Sequence, residues 1–291
     1  MAHRGRSQQG AAAIGPKKYN HTMSSIHIPT MAEMTASGQA PEVLFWVGCA
    51  GSFDDRAKRI TKAIARILHA SETSFAVLGQ EESCTGDPAK RAGNEFLYQM
   101  QAAQNIATLN GYGIKRIITG CPHCFNMLKN EYPELGGQYE VLHHTQFIRE
   151  LIETGKLRMS GDQPFKGRRI TFHDPCYLGR ANGEYLAPRE VITKLDAELL
   201  EMRRCKQNAM CCGAGGAQMF KEAEPGEREV NHARTDEALE TQPEVIATGC
   251  PFCNTMMTDG VKNANQESNV EVKDIAELIA EAADLLDAPA P

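Results

Sequence analysis

The chain has 291 residues, of which 42% are hydrophobic and 23% are charged, so it can bury the cores of two domains of ordinary size. A net charge of −6 and a pI near 5.9 argue against nucleic acid as a partner, because its binding needs clustered Lys and Arg. The sequence has no apolar run long enough to span a bilayer and no hydrophobic segment of a signal peptide at its start. We therefore expect a cytoplasmic protein, peripheral to a membrane only through partners.

Composition divides the chain into three parts. Residues 1–40 are rich in Gly, Ser, Gln and Ala and bury too little apolar surface to offset the entropy of ordering, so we expect a flexible N-terminal arm. Two domains follow over residues 41–160 and 165–287, and the turn-rich stretch 160–164 links them.

Strands and helices alternate in both domains. In the first, strands are expected at 43–47, 75–78, 115–119 and 139–142, and helices at 54–70, 88–109, 122–131 and 146–154. In the second, strands are expected at 169–172, 199–202, 245–248 and 270–272, and helices at 188–195, 227–239 and 274–286. This alternation predicts an α/β fold of two tandem, pseudo-symmetric Rossmann-like domains with parallel sheets.

The cysteines are duplicated. Cys49 and Cys84 recur 127 residues later (176 − 49, 211 − 84) and Cys121 and Cys124 recur 129 residues later (250 − 121, 253 − 124), as Cys176, Cys211, Cys250 and Cys253. The second copy adds Cys212, where the first copy has Thr85. Eight thiols in register indicate an internal duplication whose shared feature is a set of sulfur ligands. The cysteines fall at the carboxyl ends of predicted strands, where such sheets bind ligands.

Four explanations of these cysteines are open. Structural disulfides are disfavoured in a chain without a signal peptide, and inert thiols would not explain the shared spacing, although Cys205, which has no counterpart, fits that explanation. Zinc is a stronger alternative, because the Cys-x-x-Cys turns are knuckle-like. An iron–sulfur cluster is favoured by the adjacent Cys211 and Cys212, which bring the second set to five sulfurs, one more than tetrahedral zinc uses.

The spacing Cys, about 35 residues, Cys-Cys-Gly, about 37 residues, Cys-x-x-Cys is present twice over residues 43 to about 286. It resembles the pair of cysteine-rich CCG domains found in the B subunit of heterodisulfide reductase and its relatives. The spacing is also similar to that in the iron–sulfur subunits of several other enzymes. These are glycolate oxidase, the system that oxidises lactate, anaerobic glycerol-3-phosphate dehydrogenase and one class of succinate:quinone reductase. The resemblance implies a non-cubane 4Fe–4S cluster in the second domain, held by Cys176, Cys211, Cys212, Cys250 and Cys253.

The first copy departs from this pattern because Thr85 removes one thiol. The remaining cysteines, which suffice for a 4Fe–4S cubane or for zinc, are Cys49, Cys84, Cys121 and Cys124. A cubane is favoured over zinc, and an empty site is the least favoured alternative.

Histidines near the cysteines are further candidates. His173 and Asp174 could supply a proton beside the second cluster, although shaping the turn before the next cysteine is an equally good role for Asp174. His123 is a candidate ligand or proton donor that phenylalanine replaces in the second copy. His143 and His144 are interpreted as surface or packing residues.

Signatures for other cofactors are missing. The sequence has no ferredoxin motif, no Gly-x-Gly-x-x-Gly fingerprint and no P-loop, so flavin, NAD and ATP have no evident site. We expect electrons to come from a ferredoxin-like iron–sulfur subunit, with a flavoprotein dehydrogenase or a membrane subunit as further partners.

The expected function is an iron–sulfur oxidoreductase subunit of a heterodisulfide-reductase-like complex that passes electrons to a disulfide-type substrate. The first alternative is an electron relay in a glycolate, lactate or glycerol-3-phosphate dehydrogenase or in a quinone-linked complex. The second is a zinc-stabilised scaffold without redox activity.

Overall fold

The computed structural model describes residues 26–222 and 225–286. The first half contains, in chain order, α1 (Met31–Ala36), β1 (Val43–Trp46), α2 (Gly48–Phe53), α3 (Asp55–Ala70), β2 (Phe75–Ala76), α4 (Asp87–Arg91), α5 (Glu95–Gly111), β3 (Arg116–Thr119), α6 (Pro122–Asn126), β4 (Glu140–His143) and α7 (His144–Glu153). The second half contains β5 (Arg169–Phe172), α8 (Leu186–Thr193), β6 (Glu198–Leu200), α9 (Val230–Leu239), β7 (Val245–Thr248), α10 (Pro251–Asn263), β8 (Glu271–Asp274) and α11 (Ile275–Ala282).

Each half folds around a parallel four-stranded sheet. The strand orders are β2-β1-β3-β4 and β6-β5-β7-β8, so equivalent strands occupy equivalent places. The central pairs are β1 with β3, where Leu44 is opposite Ile117, and β5 with β7, where Ile170 is opposite Val245. The expected α/β fold of two tandem, pseudo-symmetric domains is confirmed.

The two halves share one apolar core. Helix α3 packs against α11, and α7 packs against α8. In the repeat α3 corresponds to α8 and α7 to α11, so each of these two contacts is the counterpart of the other. Ile64 and Phe147 of the first half and Phe172 and Leu278 of the second are buried in this core. Because burial of apolar surface is the main stabilising contribution to folding, the two domains are packed together rather than merely tethered.

The end of the predicted N-terminal arm differs from the expectation. Residues 1–25 of that arm lie outside the described residues. Helix α1 begins with a capping box between Thr30 and Glu33. Met31 and Met34 are buried, and the N–H of Met31 donates to the carbonyl of Val77 at 2.8 Å. Two methionines thus anchor this segment in spite of its polar average composition.

The helix expected over 88–109 is interrupted. Helix α4 ends at Arg91, Gly93 adopts a φ of +86°, and the side chain of Asn94 accepts the N–H of Leu97 to begin α5. The short helix α2 was not predicted.

No helix within 26–222 and 225–286 combines the length and the apolar character that crossing a membrane requires.

Candidate metal centres

The first set of cysteines lies where β1 and β3 end. Cys49 is the second residue of α2, which follows β1. Cys121, two residues after the end of β3, is the N-cap of α6, and Cys124 lies within that helix. Since β1 and β3 are neighbours in the sheet, their carboxyl ends bring these loops together. Cys84 reaches the same place from the loop between β2 and α4.

A glycine with a positive φ shapes the turn after Cys84. Gly86 has a φ of +88°, and its N–H donates to Sγ of Cys84 at 3.5 Å. A Cβ at Gly86 would lie 2.8 Å from the ring of Tyr98, so no larger residue fits without a shift. The second copy repeats this turn, because Gly213 has a φ of +93° and its N–H donates to Sγ of Cys211 at 3.3 Å. The glycine of each motif therefore gives a cysteine sulfur a backbone donor.

Hydrogen bonds between neighbouring thiols separate their pKa values. The bond between Cys49 and Cys84 lowers the pKa of Cys84 to about 7 and, together with burial, raises the pKa of Cys49. In the second set, bonds from Cys176 and then Cys212 lower the pKa of Cys211. Cys84 and Cys211 are therefore favoured as thiolates, the form of cysteine that binds metals.

Glu82 joins the two loops of the first set. Its carboxylate accepts the N–H of Val47 at 3.0 Å and that of Gly48 at 2.5 Å, directly before Cys49. Glu82 itself precedes Cys84 by two residues. Burial raises the pKa of this carboxyl to about 7, and the two N–H donors oppose the rise. Glu82 was not among the residues predicted from the sequence, where the signal available was a glutamate two positions before a candidate ligand.

The second set of cysteines occupies the equivalent edge of the other sheet. Cys176 follows β5, Cys250 is the N-cap of α10 after β7, and the loop between β6 and α9 brings the adjacent pair. A chain of sulfur contacts runs from Cys176 to Cys211, from Cys211 to Cys212, from Cys212 to Cys253 and from Cys253 to Cys250. The structure thus brings all five sulfurs of the predicted second site together.

Thr85 occupies the place of the missing thiol. Its Oγ1 lies 3.9 Å from Sγ of Cys124, and in the second copy Sγ of Cys212 lies 3.3 Å from Sγ of Cys253. Thr85 and Cys212 are both buried. The two copies are therefore equivalent in space as well as in sequence, and they differ by a hydroxyl for a sulfur.

The two sets adjoin each other across the domain interface. The pKa of the Cys121 thiol is lowered by hydrogen bonds from Cys124 and, from the other half, Cys250. Nε2 of His143 also lies 3.0 Å from the carbonyl oxygen of Gly249. His143 and His144 are buried at this contact, so of the two roles considered for them packing is the one observed. No pattern in the sequence predicted that the two sites meet.

A cavity opens between the first set and the glycine-rich loop after Cys212. It encloses about 450 Å³, counting the part open to solvent, and its lining includes Cys49, Cys84, Cys121, Cys124, Gly215, Phe220 and Phe252. His123 also lines it, with Nδ1 at 2.8 Å from Asp87 and its ring at 4.4 Å from the ring of Tyr177. Burial lowers the pKa of His123, but Asp87 raises it and the net direction is upward.

The candidates for catalysis in the second domain have other partners. His173 is buried, and one of its ring nitrogens lies within 4.8 Å of the sulfurs of Cys212 and Cys253. Burial, reinforced by Arg234, lowers the pKa of His173 to about 3. The Asp174 carboxylate accepts two hydrogen bonds from Arg189, at 2.8 and 2.9 Å. A catalytic role for His173 and Asp174 stays a prediction.

A family profile described as the cysteine-rich domain, CCG, matches residues 43–129 and 170–258. The chain belongs to this family. The resemblance inferred from the cysteine spacing is confirmed, and each of the two matched segments contains one set of cysteines.

Several curated proteins are similar to this chain. The EtfAB:quinone oxidoreductase of Syntrophomonas wolfei is 45% identical over 84% of this chain and 35% of its own length. A probable membrane-anchored ferredoxin of Chromohalobacter salexigens is 42% identical over 90% of this chain and 38% of its own. The dihydromethanophenazine:CoB–CoM heterodisulfide reductase of Methanosarcina barkeri has one subunit that is 34% identical over 83% of this chain and 59% of its own. The chain thus spans between about a third and three fifths of these relatives.

Proposed function

We propose that this chain is an iron–sulfur subunit of an oxidoreductase complex, with a non-cubane 4Fe–4S cluster in its second domain. The observation that supports this best is the convergence of five cysteine sulfurs, among them the adjacent Cys211 and Cys212. Tetrahedral zinc would leave one of the five sulfurs unused, whereas a cluster with several irons can use all of them. Such a cluster supplies one-electron redox chemistry.

In the first domain Cys49, Cys84, Cys121 and Cys124 would hold a 4Fe–4S cubane, with zinc as the alternative. Four sulfurs fit either group. The contact between Cys121 and Cys250 supports a paired arrangement in which electrons pass between two neighbouring centres. The hydroxyl of Thr85 would keep the first centre different from the second.

We propose a disulfide-type compound as the electron acceptor, bound in the cavity beside the first set of cysteines. This cavity opens to solvent beside the four sulfurs of the first set, so a small molecule can reach them. Phe220 and Phe252 offer apolar contacts there, and the similarity to part of a heterodisulfide reductase supports this substrate class. The similarity to an EtfAB:quinone oxidoreductase favours the second candidate, a relay towards a quinone.

The partners proposed are a ferredoxin-like iron–sulfur subunit and a flavoprotein or membrane subunit. The relatives are longer than this chain, and one of them is named a probable membrane-anchored ferredoxin. Co-purification under anaerobic conditions, followed by reduction of this chain with the candidate ferredoxin, tests the partnership.

Anaerobic purification of the full chain with iron and acid-labile sulfide analysis tests the cluster. We expect iron and sulfide in wild type, loss of the second-domain signal in electron paramagnetic resonance for Cys212→Ser, and no change for the control Cys205→Ser. Stoichiometric zinc without sulfide in both domains would refute the proposal and leave the scaffold alternative.

The acceptor is tested on the same protein by mixing the reduced chain with a small disulfide or a soluble quinone. Reoxidation by the disulfide, together with a changed spectrum on its addition, supports the first candidate. Reoxidation by the quinone alone supports the relay.

A further inference from the structure

The second copy contains a buried cation that the first copy lacks. Arg234 is fully buried on α9. Its counterpart is Asn105 on α5, at the same offset of 129 residues (234 − 105) that separates Cys250 from Cys121. In the same way His173 corresponds to Trp46 (173 − 46 = 127). A neutral pair in the first copy is therefore replaced by an arginine and a histidine in the second.

The contacts of Arg234 are specific. Its Nε donates to Nδ1 of His173 at 3.0 Å, and its Nη1 donates to the carbonyl of Arg204 at 2.9 Å. Glu237 lies 3.2 Å from Nη1 and is shared with Arg204, so two guanidinium groups face one carboxylate. Nη2 of Arg234 has no hydrogen-bond partner within 26–222 and 225–286.

The bond from Arg234 settles which nitrogen of His173 carries a proton. A guanidinium group has donors only, so Nδ1 must accept with its lone pair. In the neutral ring the hydrogen is then on Nε2. Neither nitrogen keeps a lone pair for a metal, although a ring nitrogen of His173 lies within 4.8 Å of the sulfurs of Cys212 and Cys253.

We propose that Arg234 is a positioning residue that fixes His173 as the Nε2–H tautomer, so that His173 donates a hydrogen bond to the second centre and is not one of its ligands. This inference rests on the proposed function as far as the centre is an iron–sulfur cluster. The tautomer itself follows from the contact with Arg234.

The pair also explains how the second copy accommodates its fifth thiolate. The first copy has Thr85 in that position, and the counterparts of the pair are Trp46 and Asn105. Asn105 is engaged by Ser83 and the backbone of Cys84. The second copy combines the added sulfur of Cys212 with the added charge of Arg234. Buried positive charge and hydrogen bonds to cluster sulfur favour the reduced, more negative state, so Arg234 should raise the reduction potential of the second centre.

The test uses the anaerobically purified full chain labelled with ¹⁵N-histidine. In pulsed electron paramagnetic resonance we expect no ¹⁵N coupling of the strength that a directly bound nitrogen gives, in wild type or in His173→Gln. We expect Arg234→Gln to lower the potential of the second centre by about 59 mV, which corresponds to a tenfold shift in a one-electron equilibrium. Arg234→Lys should retain most of the wild-type potential, and the exposed control Arg228→Gln should leave it unchanged.

A strong coupling from His173 would show that it is a ligand and would overturn the proposal, as would an unchanged potential in Arg234→Gln with full iron content. If Arg234→Gln fails to assemble a cluster, the variant Arg234→Lys decides the question. A wild-type reduction potential in Arg234→Lys would support the effect of the positive charge on the second centre, and a lower potential would refute it. If wild type contains zinc and no iron, the proposed function fails, but ¹⁵N NMR of that protein still tests the tautomer. A protonated Nδ1 on His173 would then overturn this inference separately.

Discussion

Nε2 of His143 lies 3.0 Å from the carbonyl oxygen of Gly249, the residue directly before Cys250. His143 ends β4 of the first domain, so a side chain of one domain holds the cysteine turn of the other. Nδ1 of the same ring lies 2.8 Å from the hydroxyl of Thr145. The Nε2–H therefore donates to Gly249 while Nδ1 accepts from the hydroxyl.

Removing this side chain should weaken the domain contact. We expect His143→Ala to lower the free energy of unfolding by roughly 1–3 kcal/mol, because the carbonyl of Gly249 loses its partner in a buried place. Urea unfolding of the full chain under anaerobic conditions measures the change. His69→Ala, an exposed substitution on α3, is the control and should have no comparable effect; equal losses in the two variants would contradict the prediction.

The same histidine should make stability depend on pH. Burial, followed by the neighbouring His144, holds the pKa of His143 well below its usual range. Below about pH 6.5 the unfolded chain binds a proton at this residue and the folded chain does not. The contribution of His143 to the free energy of unfolding is therefore fully present above that pH and decreases as the pH falls below it. One such group contributes about 1.4 kcal/mol per pH unit. We expect the unfolding free energy of His143→Gln to fall less steeply from pH 6.5 to 5.5 than that of wild type. Parallel curves would show that this histidine does not titrate on unfolding.

Thr85→Cys should convert the first site towards the second. The added sulfur would lie beside Cys124, as Cys212 lies beside Cys253. We expect the spectrum of the first centre to change while that of the second stays as in wild type, and Thr85→Ser to preserve both. Low-temperature electron paramagnetic resonance of the reduced protein distinguishes the centres. Identical signals from both centres in the native protein would show that the premise of asymmetry is wrong.

Glu82→Gln should affect the first site alone. The change weakens the acceptors that hold the N–H groups of Val47 and Gly48 next to Cys49. Loss of a group that orients a metal ligand commonly reduces metal affinity about 10–100-fold. Competition with a chelator, followed by metal analysis of each centre, measures the loss. The neighbouring exposed Glu81, bonded to Tyr112, gives the matched control Glu81→Gln, and equal losses from the two centres would argue against a local role for Glu82.

Local sequence determined the strands and the delivery of the cysteines. Strands β5 and β7 lie where the apolar runs 169–172 and 245–248 predicted them. A buried parallel strand is a short, continuous apolar segment, and the residues that follow it must emerge at the carboxyl edge of the sheet. The positions of Cys176 and Cys250 therefore followed from chain order, and the repeat placed Cys49 and Cys121 by the same reasoning.

Tertiary structure alone decided what surrounds those sulfurs. The contact of Cys121 with Cys250, the bonds of Glu82 to the start of α2 and the bond of Arg234 to His173 join segments that are far apart in the chain. The contact between Cys121 and Cys250 depends on how α3 and α7 pack against α11 and α8. The other two bonds each lie within one half and depend on loops and strand ends that have no periodic pattern. Periodicity specifies which face of an element is buried, but not which distant polar group that face will meet. The sequence by itself therefore predicted the candidate ligands and contained the replacement of Asn105 by Arg234 in the second copy, and the packing of the two halves determined that the two sites adjoin.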